Sequence, residues 1–226
     1  TQTFALNEVS RFFRIPVSDS AANGAALARL TERFLKMINE YQDVQPDWQF
    51  ELLVSMLRNA CEICQLSQAH QSQFRDSGGF VAIMTLLAIE RKSHPTRQPI
   101  VVREVLNVLF FMLVGNRKSK RVFESTIGYD QLKNLLLRTI GPSGPTRDVL
   151  WQLFDIAVET RHSGVEESPP IRNPEALHMM CTTIQSMVPE LQLIAVERLF
   201  AMQKLLLNRS ICCKAGVISV LLNTVE

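Results

Sequence analysis

Apolar residues recur at intervals of three and four along almost the whole chain, and strict alternation over strand-length windows is nearly missing. That periodicity belongs to helices, so the expected fold class is all-α with no β-sheet. A short helix over Phe4–Phe13 ends near Pro16, Ser18–Asn23 reads as a linker, and a firmer helix over Ala25–Tyr41 carries Leu27, Leu30, Phe34, Leu35 and Ile38 on one face. Pro46 and Asp47 open the next helix, whose stripe is Phe50, Leu53, Val54, Leu57, Ala60, Cys61 and Cys64. Gln65–Ser77 reads as a polar stretch before a helix from Gly79 to about Glu90, and Pro95 and Pro99 make residues 91–99 a loop. Ile100–Val114 is apolar nearly all round, as expected of a helix covered on several sides.

After a basic linker come Tyr129–Ile140, a break at Gly141-Pro142-Ser143-Gly144-Pro145, and a helix Arg147–Glu159 that Thr146 can cap, with Asp148 in its first turn. Residues 160–173 contain Gly164 and Pro169-Pro170 and form the longest expected loop. Pro174 then starts a helix to about Met187, Pro189 another to about Leu207, and Val217 the last.

A recurring register organises these helices. With Gly78, Ile127 and Gly216 set as equivalent, Phe80, Tyr129 and Ile218 fall two residues on and Ile83, Leu132 and Leu221 five residues on. Leu86-Leu87, Leu135-Leu136 and Thr224-Val225 also coincide, while Phe74, Phe123 and Cys212 align four residues upstream. The unit is a helix, a turn with a buried anchor, a glycine and a second helix. The first two copies lie 49 residues apart and the next 89, about twice the length of an armadillo or HEAT unit. A further copy is therefore expected near residue 171, where Ala176, Met179 and Met180 fit the frame but polar Glu167 replaces the anchor. A helix pair cannot bury its apolar face alone, and stacking neighbours does so. The expectation is an armadillo/HEAT-like α-solenoid of about ten to eleven helices. It divides into a helical cap over 1–47 and armadillo-like repeats over 48–226, at about 48–97, 98–145, 146–188 and 189–226, all one continuous solenoid.

Composition narrows the function classes. At 226 residues and 46% hydrophobic content the chain can bury a sizeable core, and it begins and ends mid-pattern, as a piece of something longer would. A formal charge of +2 is far from the basicity of a dedicated nucleic-acid binder. Five cysteines, an odd number set within apolar helical patterns, point to a reducing cytoplasmic compartment. No apolar run reaches the roughly 18 residues that span a bilayer, so no transmembrane segment is expected.

The junction Asn208-Arg209-Ser210-Ile211-Cys212-Cys213-Lys214-Ala215-Gly216-Val217-Ile218, followed by Leu221, resembles an armadillo repeat junction, in which an asparagine-ended helix leads to an Ala-Gly pair and a second helix. The strings Phe74-Arg75-Asp76-Ser77-Gly78-Gly79-Phe80 and Asn116-Arg117-Lys118-Ser119-Lys120-Arg121-Val122-Phe123-Glu124, the latter followed by Ile127-Gly128-Tyr129, are more particular. They are similar to the armadillo-like region upstream of the BEACH domain in very large scaffold proteins of the neurobeachin, Chediak-Higashi and Alfy type. The armadillo resemblance covers about residues 48–226 and the BEACH-type phrasing two short stretches. The resemblance implies a non-catalytic protein-interaction scaffold in vesicle trafficking or selective autophagy, cytoplasmic and peripheral on endomembranes. Formins, whose armadillo-like regions bind Rho-type GTPases, share the architecture. The tryptophan and asparagine ladder of importin-type proteins is missing, which argues against nuclear-import cargo.

Candidate chemistry is sparse. Cys61 and Cys64 form a CxxC without two further zinc ligands and lie in an apolar stripe, so they read as core, as does Cys212-Cys213. The histidines His70, His94, His162 and His178 are scattered, and no glycine-elbow, GxxxxGK[ST] or GxGxxG motif occurs. Neither an enzyme nor a cofactor or metal site is expected. Met56, Met84, Met112, Met179, Met180 and Met202 read as core, and Ser168 before Pro169 as a candidate phosphorylation site in a loop. Residues 91–121 carry Arg91, Lys92, Arg97, Arg103, Arg117, Lys118, Lys120 and Arg121 against Glu104 alone. Of these, Arg91, Lys92, Arg97, Arg117, Lys118, Lys120 and Arg121 are the candidate partner-binding residues, for an acidic peptide, a phosphoinositide-bearing membrane surface or RNA.

Overall fold

The computed structural model describes residues 31–32, 35–36, 47–89, 94–140, 146–161 and 169–223. The expected Phe4–Phe13 helix, the Ser18–Asn23 linker, the Gly141–Pro145 break, Arg91, Lys92, His162, Glu167, Ser168 and Thr224-Val225 lie outside them. Of the expected helix Ala25–Tyr41, only Thr31, Glu32, Leu35 and Lys36 are described, and all four are helical.

Among the described residues there is no strand, and from Asp47 on there are eleven helices: α1 (Asp47–Leu66), α2 (Gln68–Asp76), α3 (Gly79–Ala88), α4 (Arg97–Leu113), α5 (Arg117–Thr126), α6 (Tyr129–Ile140), α7 (Arg147–Val158), α8 (Pro174–Ile184), α9 (Pro189–Met202), α10 (Leu206–Lys214) and α11 (Val217–Asn223). They form two compact units, residues 1–127 and 128–226.

In the first unit α4 touches α1, α2, α3 and α5. Its Val101, Val102, Val105, Leu106, Val108, Leu109, Met112 and Leu113 are all buried, as its all-round apolar pattern requires. In the second unit α8 holds the equivalent central place, touching α6, α7, α9, α10 and α11. Its Ala176, Leu177, Met179, Met180, Cys181 and Ile184 are buried. The methionines Met56, Met84, Met112, Met179, Met180 and Met202 all lie in the core.

Several expected boundaries change. Gln65–Ser77 is not a plain polar stretch: Ser67 caps α2 by accepting from the His70 N–H, and Phe74 gives the helix an apolar anchor. The basic linker after α4 is likewise helical, as α5, because Phe123 anchors it in the same way. α4 begins at Arg97 rather than Ile100, since a proline in the first turn has no intrahelical N–H bond to lose. Thr146 occupies the N-cap position of α7, but its side chain makes no cap bond. The expected helix from Pro189 to Leu207 is two, α9 and α10, broken at Gln203–Leu205; Asn208 lies in the first turn of α10 and does not end a helix.

The repeat register also shifts. The left-handed residues in the three turns are Gly78 (φ 89°), Gly128 (φ 81°) and Gly216 (φ 81°), a conformation glycine adopts without steric cost. The middle equivalent is thus Gly128, not Ile127, and α5 runs one residue longer than α2 and α10 before a turn of the same length. From these glycines, the first and fourth residues onward are buried in every copy: Gly79 and Ala82, Tyr129 and Leu132, Val217 and Val220. Ile218, two residues after Gly216 as Phe80 is after Gly78, is half exposed where Phe80 is buried. Gly79 is required by packing, for a Cβ there would run into the Phe74 ring and carbonyl.

Candidate functional site

The predicted basic residues are not all equivalent in the structure. Arg97 is turned back on its own unit, where its guanidinium pairs with Asp47 and sits 4.9 Å from the centre of the Phe50 ring. Arg103 is also engaged, donating to Glu104 Oε1 at 2.9 Å. That buried carboxylate collects Arg58 and Asn107 as well, so α1 and α4 are joined by a satisfied polar cluster. Arg117, Lys118, Lys120 and Arg121 remain together on α5.

The first turn of α5 is built by polar side chains from α2. Gln68 donates to the Gly115 carbonyl at 2.8 Å and Gln71 to the Val114 carbonyl at 3.4 Å, which fixes the turn that precedes the helix. Asn116 caps it, accepting from the Ser119 N–H at 3.0 Å while donating to Gln71 Oε1 at 3.1 Å. Below, the buried Arg75 guanidinium reaches the Ser119 hydroxyl at 3.1 Å and grips Asp76 through two bonds, of 2.8 and 3.0 Å. That hydrogen bond is the main reason the Asp76 carboxyl is held below its ordinary value, with Arg75 and Lys118 charges adding to it against a smaller effect of burial. Phe123 seats the far end of α5, its ring 5.2 Å from that of Phe80 in an edge contact.

With Ser119 and Phe123 inward, Arg117 and Arg121 stand one turn apart on the outer face, both exposed. Lys118 is exposed beside them and Lys120 half-buried on the other flank. Arg117 and Arg121 make no ion pair among the described residues. Sequence reading found these four cations but not the Gln68, Gln71 and Arg75 set that positions them. Its signal is the spacing of those three residues, which places long polar side chains on one face of α2.

The second unit consumes its polar groups structurally. Asn208, fully buried, accepts from the Ile171 N–H at 2.8 Å and donates to the carbonyls of Pro169 and Met202 at 3.0 and 2.9 Å. Asn173 caps α8 and donates to the Tyr129 hydroxyl at 2.7 Å, and His178 meets the Ala215 carbonyl at 3.1 Å.

Burial pushes the Cys64 thiol well up and the Cys181 thiol to about 12, with Cys212 raised for the same first reason. These side chains are protonated at neutral pH and pack as small hydrophobes. Cys213, expected to share the buried anchor position with Cys212, is exposed, because consecutive residues on a helix point about 100° apart. Among the described residues no group of His, Cys, Asp and Glu is placed to hold a metal ion, and no helix is long and apolar enough to cross a membrane.

The buried frame and the α5 phrase fit one comparison. Over residues 1–226 the chain matches the Neurobeachin alpha solenoid region. It belongs to this family. The match extends the BEACH-type resemblance from two short strings to the entire chain and gives the all-helical architecture its class, an α-solenoid region. No solved structure matches it.

Proposed function

We propose that this neurobeachin-type solenoid is a non-catalytic scaffold that binds other proteins within a BEACH-type protein acting in vesicle trafficking or selective autophagy, at the cytoplasmic surface of endomembranes. The observation that carries this reading is the family match across residues 1–226. It is supported by the use of the buried polar side chains: Asn116, Asn173, Asn208, Arg75 and Glu104 serve as caps and ties rather than as a nucleophile with its base.

The test is to replace residues 47–223 by a flexible linker in the full-length protein and to compare complex composition and cargo delivery. Loss of bound proteins together with delayed delivery is expected. Unchanged composition and delivery would overturn the reading. Retention of a GTP-loaded Rho-family GTPase by the chain would replace it with the formin-type alternative.

A further inference from the structure

α5 is charged against the rules of helix electrostatics. The N-terminal end of a helix carries partial positive charge and favours carboxylates in its first turn, yet α5 has no acidic residue there and opens with Arg117 and Lys118. Like charges three and four residues apart repel by about 0.2–0.5 kcal/mol a pair, and Arg117–Lys120, Arg117–Arg121 and Lys118–Arg121 are such pairs. Glu124 is the helix's one carboxylate, a turn beyond. Nearby Asp76 faces Lys118 in part, but both its oxygens are hydrogen-bonded by Arg75, a cation held in the core with its side chain 2% exposed. Asn116 already occupies the Ser119 N–H at the helix end, so it is the side-chain cations that the face presents.

A surface that violates local rules while being firmly positioned from behind is the mark of a binding face. Gln68, Gln71, Arg75 and Phe123 supply that positioning. We infer that the outer face of α5, formed by Arg117, Lys118 and Arg121, docks an acidic peptide segment of a partner protein. The inference rests on the scaffold reading and names a partner chemistry for it.

The chemistry selects a peptide over a membrane. The α5 positions beside the cations are Val122, half-buried, and Glu124, Ser125 and Thr126, exposed and polar, so no aromatic and no fully exposed aliphatic side chain is offered to a bilayer. Three exposed cations on an anionic leaflet give binding no better than about millimolar. Two guanidiniums one turn apart, by contrast, match carboxylates geometrically, each able to present a planar fork to one of them.

The experiment uses the 226-residue chain and a fluorescein-labelled peptide of alternating Glu and Gly, with the Gln and Gly peptide as control, read by anisotropy. Phosphatidylserine vesicles form a parallel arm. Arg117→Glu, Lys118→Glu and Arg121→Glu together are expected to weaken Glu-peptide binding by on the order of tenfold or more. The same triple variant places carboxylates where the helix end favours them, so it should melt no lower than the parent. Arg117→Lys with Arg121→Lys should lie between the two in affinity, as charge is kept and the forked donors are lost. Binding should also fall with added salt, as for exposed charges.

Equal affinity of parent and triple variant for the Glu peptide would overturn the inference. So would α5-dependent vesicle binding without peptide binding, which would make the face a membrane contact. If peptide binding fails while the linker replacement still strips proteins from the full-length complex, this inference falls and the scaffold reading stands.

Discussion

In the first unit the helix before the turn glycine is complete in both copies: α2 and α5 each insert one phenylalanine, Phe74 and Phe123, fully into the core. The corresponding place before α8 in the second unit holds no described helix; residues 169–173 are irregular and are held by Asn208 at Pro169 and Ile171 and by the Ala157 carbonyl, which accepts from the Arg172 and Asn173 N–H groups. Its last copy, α10, inserts the smaller Cys212. One module is thus completed in two ways, by an aromatic anchor on a short helix or by a buried amide that helps to satisfy an irregular backbone. An irregular segment can stand in for a helix only if its N–H and C=O groups find partners, because each buried group left unpaired costs about 1–3 kcal/mol. Asn208 supplies them at Pro169 and Ile171, and the Ala157 carbonyl at Arg172 and Asn173.

The largest break in this contrast is at the anchors. Phe74→Ala is expected to cost about 4 kcal/mol and Cys212→Ala about 1, following the volume each leaves empty. Denaturant unfolding of both variants measures the difference, and equal losses would show that the copies do not depend on their anchors as described.

Next in size is the amide. Asn208→Ala removes three bonds and strands the Ile171 N–H in the core, for an expected loss of about 3 kcal/mol. Hydrogen exchange at Ile171 should accelerate in the variant; an amide that stays protected would mean that the segment is held otherwise.

The smallest effect sharpens the view of the α2–α5 tie. A carboxyl held below its ordinary value contributes stability that is present above that value and is lost as pH falls through the lowered one. For Asp76 the ordinary value is 3.8. The melting temperature of the parent should therefore gain a steeper fall below pH 3.8 than that of Asp76→Asn, with the two profiles parallel above it. Parallel profiles throughout would show that the Arg75–Asp76 contact does not couple to folding.

Helix content was legible because apolar spacing reports directly on the face each segment buries, and α1, α4 and α7 follow it closely. The two short helices α2 and α5 were hidden in the element-by-element pattern. Each has a mostly polar sequence around one phenylalanine, and a single deep anchor leaves little periodic trace. The repeat register found those phenylalanines, yet placed the middle turn at Ile127, since a one-residue insertion does not disturb apolar spacing enough to show. Among the candidate residues, charge alone marked Arg97 and Arg117 alike. Their separation needed coordinates, because whether a guanidinium lies over Phe50 or faces outward depends on which helices pack together.

By itself the chain's order of residues determined that the protein is helical, that its modules repeat about a turn glycine, and that it resembles the solenoid of BEACH-type scaffolds, since these follow from local periodicity and recurring strings. Tertiary structure decided which glycine sets each turn, that Asn208 holds the irregular segment at Pro169 and Ile171, and that Gln68, Gln71 and Arg75 present the α5 cations outward. Those outcomes depend on hydrogen bonds between residues about 40 positions apart, and no local pattern encodes which distant backbone group a buried amide or guanidinium will meet.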